Sequence, residues 1–177
     1  MFDRRPAADE AGFTMIEALI AGGVILVLVA MAVPGLLRAR LTANEVGAIA
    51  SLRVTAAAQK AYAAACGEGR YAATFVVLGT RGPAGAPPFI SDDFGLVVAP
   101  VRTGYAFTLG PGQDATPGPP DCGGTATVST YYASAVPLTI GRTGTHSFAV
   151  NGRSVIWERA GDVAPAEPFG TPARPID

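Results

Sequence analysis

The sequence predicts an α+β protein in which one long N-terminal helix packs on a four-stranded antiparallel sheet. Three observations carry this prediction. Residues 18–37 are uniformly apolar, residues 38–65 continue without proline in a helical pattern, and four later segments alternate with the period of a strand. The 177 residues suffice for one modest globular domain beside the long helix.

The apolar run has the length of a membrane-spanning helix. Its 20 residues carry no charged or polar side chain, and at a rise of 1.5 Å each they span about 30 Å. Glu17 lies directly before the run, where a lone carboxylate at bilayer depth costs roughly 3 kcal/mol or more. Glu17 therefore either reaches the lipid head groups or pairs with a charge from another copy of the chain, and the residues before it favour the second interpretation.

A short motif precedes the apolar run: Gly12-Phe13-Thr14-Met15-Ile16-Glu17. This motif closely resembles the processing site of the type IV pilin superfamily, which includes type IV pilins and the pseudopilins of type II secretion. The resemblance implies that a membrane peptidase cleaves after Gly12 and methylates Phe13. It also implies that Glu17 pairs with the terminal amine of a neighbouring subunit, and that Pro34 matches a proline of the family and kinks the helix.

The resemblance implies a type IV pilin-like fold with four parts. These are a leader peptide at residues 1–12, a membrane and assembly half of the helix at 13–37, its amphipathic half at 38–65, and a globular sheet domain with a proline-rich tail at 66–177. The leader carries charges of both signs, so orientation in the membrane depends more on the resemblance than on charge.

The function implied is a structural subunit of a type IV pilus-like filament, not an enzyme. The implied partners are further copies or other pilins, the prepilin peptidase/methyltransferase, and a pilus or type II secretion assembly platform. The chain would begin as a single-pass protein of the bacterial inner membrane with its C-terminal domain in the periplasm, and then join a surface filament or a periplasmic pseudopilus. A pseudopilin of a type II secretion system is the first alternative. A membrane-anchored binding domain that never polymerises is the second.

Other function classes find little support in the sequence. The formal net charge is −1, so no basic surface for nucleic acid is indicated. Catalytic, cofactor and metal motifs are not evident. His146 and Ser147 are neighbours on a predicted strand and point to opposite faces, so we do not expect them to form a catalytic pair.

The long helix is predicted from Phe13 to Ala65, with a break or bend near Pro34-Gly35 and an end at Gly67-Glu68-Gly69. Small or apolar residues recur at three- and four-residue spacing in its second half: Leu41, Ala48, Ile49, Leu52, Ala56 and Ala63. Arg53, Gln59 and Lys60 lie mostly off this stripe and are expected to face away from the core.

Two cysteines, Cys66 and Cys122, indicate a disulfide in a domain outside the cytoplasm. A metal site is the rival interpretation, but two thiols and the distant His146 do not make a ligand set. Asp92 and Asp93 raise the question of calcium, as in some pseudopilins. For such an isolated acidic pair we prefer a helix cap or a solvated turn.

The four predicted strands begin near Gly104, Ala126, Thr145 and Arg153. Asn151-Gly152 between the last two predicts a hairpin. Six aromatic residues of these segments are expected in the sheet core: Tyr105, Phe107, Tyr131, Tyr132, Phe148 and Trp157. One sheet face should pack on the helix and the other should meet solvent. Residues 110–124 are predicted to form a surface loop, and residues 160–177 an extended tail.

Overall fold

A computed structural model of the chain describes residues 13–80, 82 and 85–176. The predicted leader, including Gly12, lies outside the described residues. The chain divides into two compact units, Met1–Ala39 and Arg40–Asp177. The second unit contains residues 40–65 of the long helix together with the sheets.

Helix α1 extends over Met15–Ala65 as one uninterrupted element, which confirms the predicted long helix. The break that the sequence allowed near Pro34 is absent. Pro34 has no N–H, so the carbonyl of Ala30 lacks its usual intrahelical donor, and a bend at this position stays a prediction. The backbone N–H groups of Cys66 and Gly67 both donate to the Tyr62 carbonyl at 2.9 Å. The helix therefore ends next to Gly67, as the glycines in the sequence predicted.

In the second unit one face of α1 packs into the core. Its buried residues are Ala48, Ser51, Leu52, Thr55, Ala56, Ala58, Gln59 and Tyr62. The predicted stripe is thus confirmed at Ala48, Leu52 and Ala56, and Arg53 and Lys60 are exposed as expected. The prediction for Gln59 was wrong, because its side chain is fully buried.

The main sheet has six strands, all antiparallel to their neighbours, in the order β1-β2-β5-β6-β7-β8. A second sheet pairs β3 with β4. The strands are β1 (Val101–Arg102), β2 (Tyr105–Pro111), β3 (Pro117–Pro120), β4 (Ala126–Val128), β5 (Tyr131–Pro137), β6 (His146–Asn151), β7 (Ile156–Ala160) and β8 (Arg174–Ile176).

The prediction of four strands was wrong in number. The centre of the sheet, β2-β5-β6-β7, matches the four predicted segments, but the segment expected to begin at Ala126 is divided at Ser129-Thr130 between two sheets. Strand β3 lies in the predicted surface loop and carries three prolines, and β8 lies in the predicted tail. Proline lacks a backbone N–H, and an edge strand has no partner for that donor on its open side, so proline is tolerated in edge strands.

The hairpin predicted at Asn151-Gly152 is present, but its connection is longer than two residues. The last paired residues are Val150 and Ile156. The Asn151 side-chain oxygen accepts from the Arg153 backbone N–H at 3.1 Å, and Ser154 has a positive φ of 61°. Ser154 therefore provides a left-handed conformation in this turn.

The sheet carries aromatic residues on both faces, fully buried on the helix side and half-buried on the other. Tyr105, Phe107, Tyr131 and Phe148 belong to the core shared with α1. Tyr132 and Trp157 alternate to the other face, where the Phe169 ring stacks on Trp157 with centroids 5.3 Å apart. The expectation that this face meets solvent was wrong in part, because residues of the predicted extended tail, among them Pro165 and Phe169, cover it.

Two short helices complete the second unit. Helix α2 (Phe75–Gly79) is capped by the Thr74 hydroxyl, which accepts from the Val77 N–H at 3.4 Å. Helix α3 (Asp92–Gly95) holds Asp92 and Asp93 in its first turn, where acidic side chains complement the helix dipole. The two helices meet so closely at Gly79 and Gly95 that a Cβ on either would overlap the backbone of the other.

Gln59 makes a buried polar connection of two hydrogen bonds between α1 and the segment that follows it. Its side-chain amide donates to the Ala72 carbonyl at 2.8 Å and its oxygen accepts from the Ala72 N–H at 2.9 Å. Gln59→Met would leave both Ala72 groups buried without partners, and we expect it to lower the free energy of unfolding by about 2–4 kcal/mol. Denaturant titration should show this loss, whereas the neighbouring exposed variant Lys60→Met should change stability by about 0.5 kcal/mol or less. Equal stabilities would contradict this role of the amide.

Candidate assembly segment and disulfide-closed loop

Residues 13–37 present an exposed and almost entirely apolar surface. Every residue in it is exposed apart from the half-buried Gly22, and Phe13 is 71% exposed. By length and composition α1 is the one helix among the described residues that could cross a membrane. A surface of this size and apolarity requires lipid or other protein chains as its environment.

The residues around Glu17 also begin the helix, a role that the sequence interpretation did not consider. Thr14 precedes the first helical residue, and its hydroxyl accepts from the Glu17 backbone N–H at 3.3 Å. Thr14-Met15-Ile16-Glu17 has the T-x-x-E spacing of a capping box. Glu17 lies in the first turn, where a negative charge interacts favourably with the helix dipole. Substitutions at Thr14 and Glu17 can therefore separate the start of the helix from the predicted pairing of Glu17 with another subunit.

Cys66 and Cys122 form the predicted disulfide, which joins the end of α1 to the residue pair that follows β3. Their Cα atoms are 5.0 Å apart across a separation of 56 residues. The Cys122 N–H also donates to the Cys66 carbonyl at 3.1 Å. The covalent link is thus supported by a backbone hydrogen bond between the same two residues.

Asp121 organises the loop next to the disulfide. One carboxylate oxygen accepts from the Tyr62 hydroxyl at 2.6 Å, and the other accepts from the backbone N–H groups of Gly123 and Thr125 at 2.8 Å each. Partial burial alone would raise the pKa of Asp121, but these hydrogen bonds to the charged form lower it below the ordinary 3.8. Burial and the hydrogen bond to Asp121 raise the pKa of Tyr62, so its hydroxyl stays a donor.

The lowered pKa of Asp121 gives a pH prediction. A carboxyl group with a lower pKa in the folded state stabilises the fold above its ordinary pKa and loses that contribution as pH falls through the folded value. The wild-type chain should therefore lose more stability than Asp121→Asn between about pH 5 and pH 3, with the variant less stable at pH 7. Denaturant titrations across this range test it, with exposed Asp162→Asn as control. Parallel curves for wild type and Asp121→Asn would contradict it.

Glu45 connects α1 to the start of β6 and was not identified from the sequence. Its Oε1 accepts from the backbone N–H and hydroxyl of Thr145 at 2.7 and 2.6 Å, and lies 3.4 Å from Nδ1 of His146. Burial would raise the pKa of Glu45, but the bonds from Thr145 and His146 lower it overall. His146 therefore has a structural contact, and Ser147 is engaged elsewhere by donating to the Gly161 carbonyl at 2.8 Å.

The predicted site residues are thus placed as follows. Phe13, Glu17 and Pro34 lie in the first unit, and Cys66 and Cys122 meet in the second. Among the residues that the structure describes, no three His, Cys, Asp or Glu side chains are grouped to hold a metal ion. Comparison of the chain with protein-family models, with curated proteins and with solved structures gives no match in any of the three.

Proposed function

We propose that this chain is a structural subunit of a type IV pilus-like filament. One observation carries the proposal: the motif that ends in Phe13-Thr14-Met15-Ile16-Glu17 directly precedes an apolar helical surface without a partner in the described chain. A processing site at this position would release a new N-terminus on the very segment that must be buried.

The physical account has two stages. The apolar segment at residues 13–37 first resides in the inner membrane, since exposing it to water would cost about 1.5–3 kcal/mol for each large aliphatic side chain. The segment then leaves the membrane only when the corresponding apolar surfaces of neighbouring copies take the place of the lipid around it. In that interior the Glu17 carboxylate needs a cation, and the amino group of an adjacent Phe13 supplies one.

In this proposal the second unit forms the outer surface of the filament. Folding in the periplasm would favour the Cys66–Cys122 disulfide, and the proposed orientation would put residues 40–177 outside the cytoplasm. A pseudopilin of a type II secretion system would use the same segment and differ in the machine that it serves. The prepilin peptidase/methyltransferase and an assembly platform are the proposed partners in either case.

A membrane-anchored binding domain is the second candidate function. It is favoured by a polar cleft of about 750 Å³ in the second unit, which a purely structural subunit does not need. In that case the apolar helix would remain a permanent anchor. The two candidates differ in whether the segment at residues 13–37 leaves the membrane.

Intact-mass spectrometry of two fractions tests the proposal. Protein from sheared surface filaments and protein from membranes are measured separately in cells that express the chain. We expect the sheared fraction to contain a chain that begins at Phe13 and carries one added methyl group. A chain that retains residues 1–12 and occurs only in membranes would contradict the proposal and leave the anchored domain in its place.

A further inference from the structure

The second unit contains an open cleft that the proposed assembly does not use. Its volume is about 750 Å³, within the range of roughly 300–1,000 Å³ that ligand sites occupy. Three segments contribute most of its lining: the loop between β2 and β3, the hairpin of β6 and β7, and the tail before β8; Tyr71, Ser129 and Thr130 complete it. None of the lining residues belongs to α1, so the cleft is separate from the helix that carries the proposed assembly surface.

Glu167 holds the three segments together. Its Oε1 accepts from the Asn151 side-chain amide at 2.6 Å, and its Oε2 accepts from the Gln113 backbone N–H at 2.7 Å. Both oxygens of this carboxylate are therefore engaged by the protein itself. Glu167 shapes the cleft as a positioning residue, and other side chains are left to contact a ligand.

One side of the cleft is aromatic. Trp157 and Phe169 both line it, and their rings stack with an interplanar angle of 18°. Both side chains are half-buried, and the indole N–H of Trp157 has no hydrogen-bond partner among the described residues. Each ring covers one face of the other, and the pair contributes apolar aromatic surface to the cleft lining beside one available donor.

Two charged side chains in the lining are also available. Asp114 and Arg153 are exposed, and neither side chain has an ion pair or hydrogen bond within the described part of the chain. The carboxylate is a pure acceptor and the guanidinium is a pure donor. Their opposite charges disfavour both a phosphate, which Asp114 would repel, and a metal cation, which Arg153 would repel.

We infer that this cleft binds an uncharged saccharide. A sugar ring has an apolar C–H face that fits an aromatic surface. Its hydroxyl groups can donate to the Asp114 carboxylate and accept from the Arg153 guanidinium and the Trp157 indole N–H. The inference is independent of filament assembly, because the cleft lies within the second unit and a membrane-anchored monomer would carry it equally.

Trp157 is the single tryptophan of the chain and serves as the reporter. The full chain is purified in a detergent without a sugar head group, and its fluorescence is titrated with maltotetraose, cellotetraose and triacetylchitotriose up to about 10 mM, well above a millimolar Kd. We expect saturable changes in emission with at least one of the three. No change with any of them, together with no saturation transfer to the sugars in NMR, would overturn the inference.

Matched variants assign the binding to the cleft. Asp114→Ala and Arg153→Ala keep the reporter and should each weaken binding by about tenfold or more, as the loss of hydrogen bonds to charged groups predicts. Asp162→Ala and Arg142→Ala remove the same charges at exposed positions outside the cleft and should bind as the wild type does. Equal affinities for all four variants would overturn the assignment even if a sugar binds.

Discussion

Glu17→Gln is expected to abolish incorporation of the chain into surface filaments while leaving it abundant in the membrane. In the proposed interior the Glu17 carboxylate neutralises a neighbour's terminal amine. Removing one partner of such a buried pair costs about 3–5 kcal/mol, or roughly a hundredfold or more in the association constant of each subunit. Immunoblots of sheared and membrane fractions measure this loss directly.

Thr14→Ala provides the matched control, because Glu17 also lies in the capping box that begins α1. Gln preserves the T-x-x-E/Q pattern, so Glu17→Gln removes the charge and retains the means of starting the helix. Thr14→Ala keeps the Glu17 charge and removes the capping hydroxyl, which costs about 1 kcal/mol at the helix start. This variant should still assemble. Wild-type amounts of filament with Glu17→Gln would contradict the pairing, and an equal loss with Thr14→Ala would attribute the effect to capping.

Replacing both Cys66 and Cys122 with Ala is expected to lower the free energy of unfolding by about 4 kcal/mol, since the disulfide closes a loop with a separation of 56 residues. The loss would be large against a total stability of about 5–15 kcal/mol. Denaturant titration of the full chain, followed by Trp157 fluorescence, measures it in the second unit.

A reducing agent gives the control for the disulfide. It should lower the stability of the wild type by a similar amount and leave the double-Ala variant unchanged. The Tyr62–Asp121 hydrogen bond remains in that variant and should hold the loop near its folded position. A wild type that keeps its full stability under reduction would contradict a stabilising role for the bond.

The parts of the fold that were predictable have strong local signals. A long apolar run, a proline-free helical stretch and glycines at residues 67 and 69 specify α1 and its end. Period-two alternation specifies β2, β5, β6 and β7, which form the centre of the sheet. The cysteine pair was predictable from its number and its expected compartment, although its geometry was not.

The parts that were missed depend on tertiary contacts. Strand β3 contains Pro117–Pro120 and has no intrinsic strand propensity, so only its pairing with β4 creates it. Strand β8 similarly depends on β7. Gln59 was placed mostly off the apolar stripe, although it lies seven residues after Leu52 and three after Ala56 and shares their buried face. The partner that satisfies its buried amide, Ala72, is not visible in a helical pattern.

The candidate sites divide in the same way. The motif from Gly12 to Glu17 is contiguous and was read from the sequence, although Gly12 lies outside the described residues. The cap at Thr14 was missed despite its visible T-x-x-E spacing, which is a local signal. The cleft was missed because Asp114, Trp157 and Glu167 come from three segments that only the folded chain brings together.

The central claim is that residues 13–37 pack among copies of the chain, and electron cryomicroscopy of sheared filaments tests it most directly. The account predicts a helical reconstruction whose core contains this segment from successive subunits, each beginning at Phe13 with Glu17 beside a neighbour's amine. Filaments with a core built from other segments, or single copies that keep residues 18–37 in lipid, would contradict it.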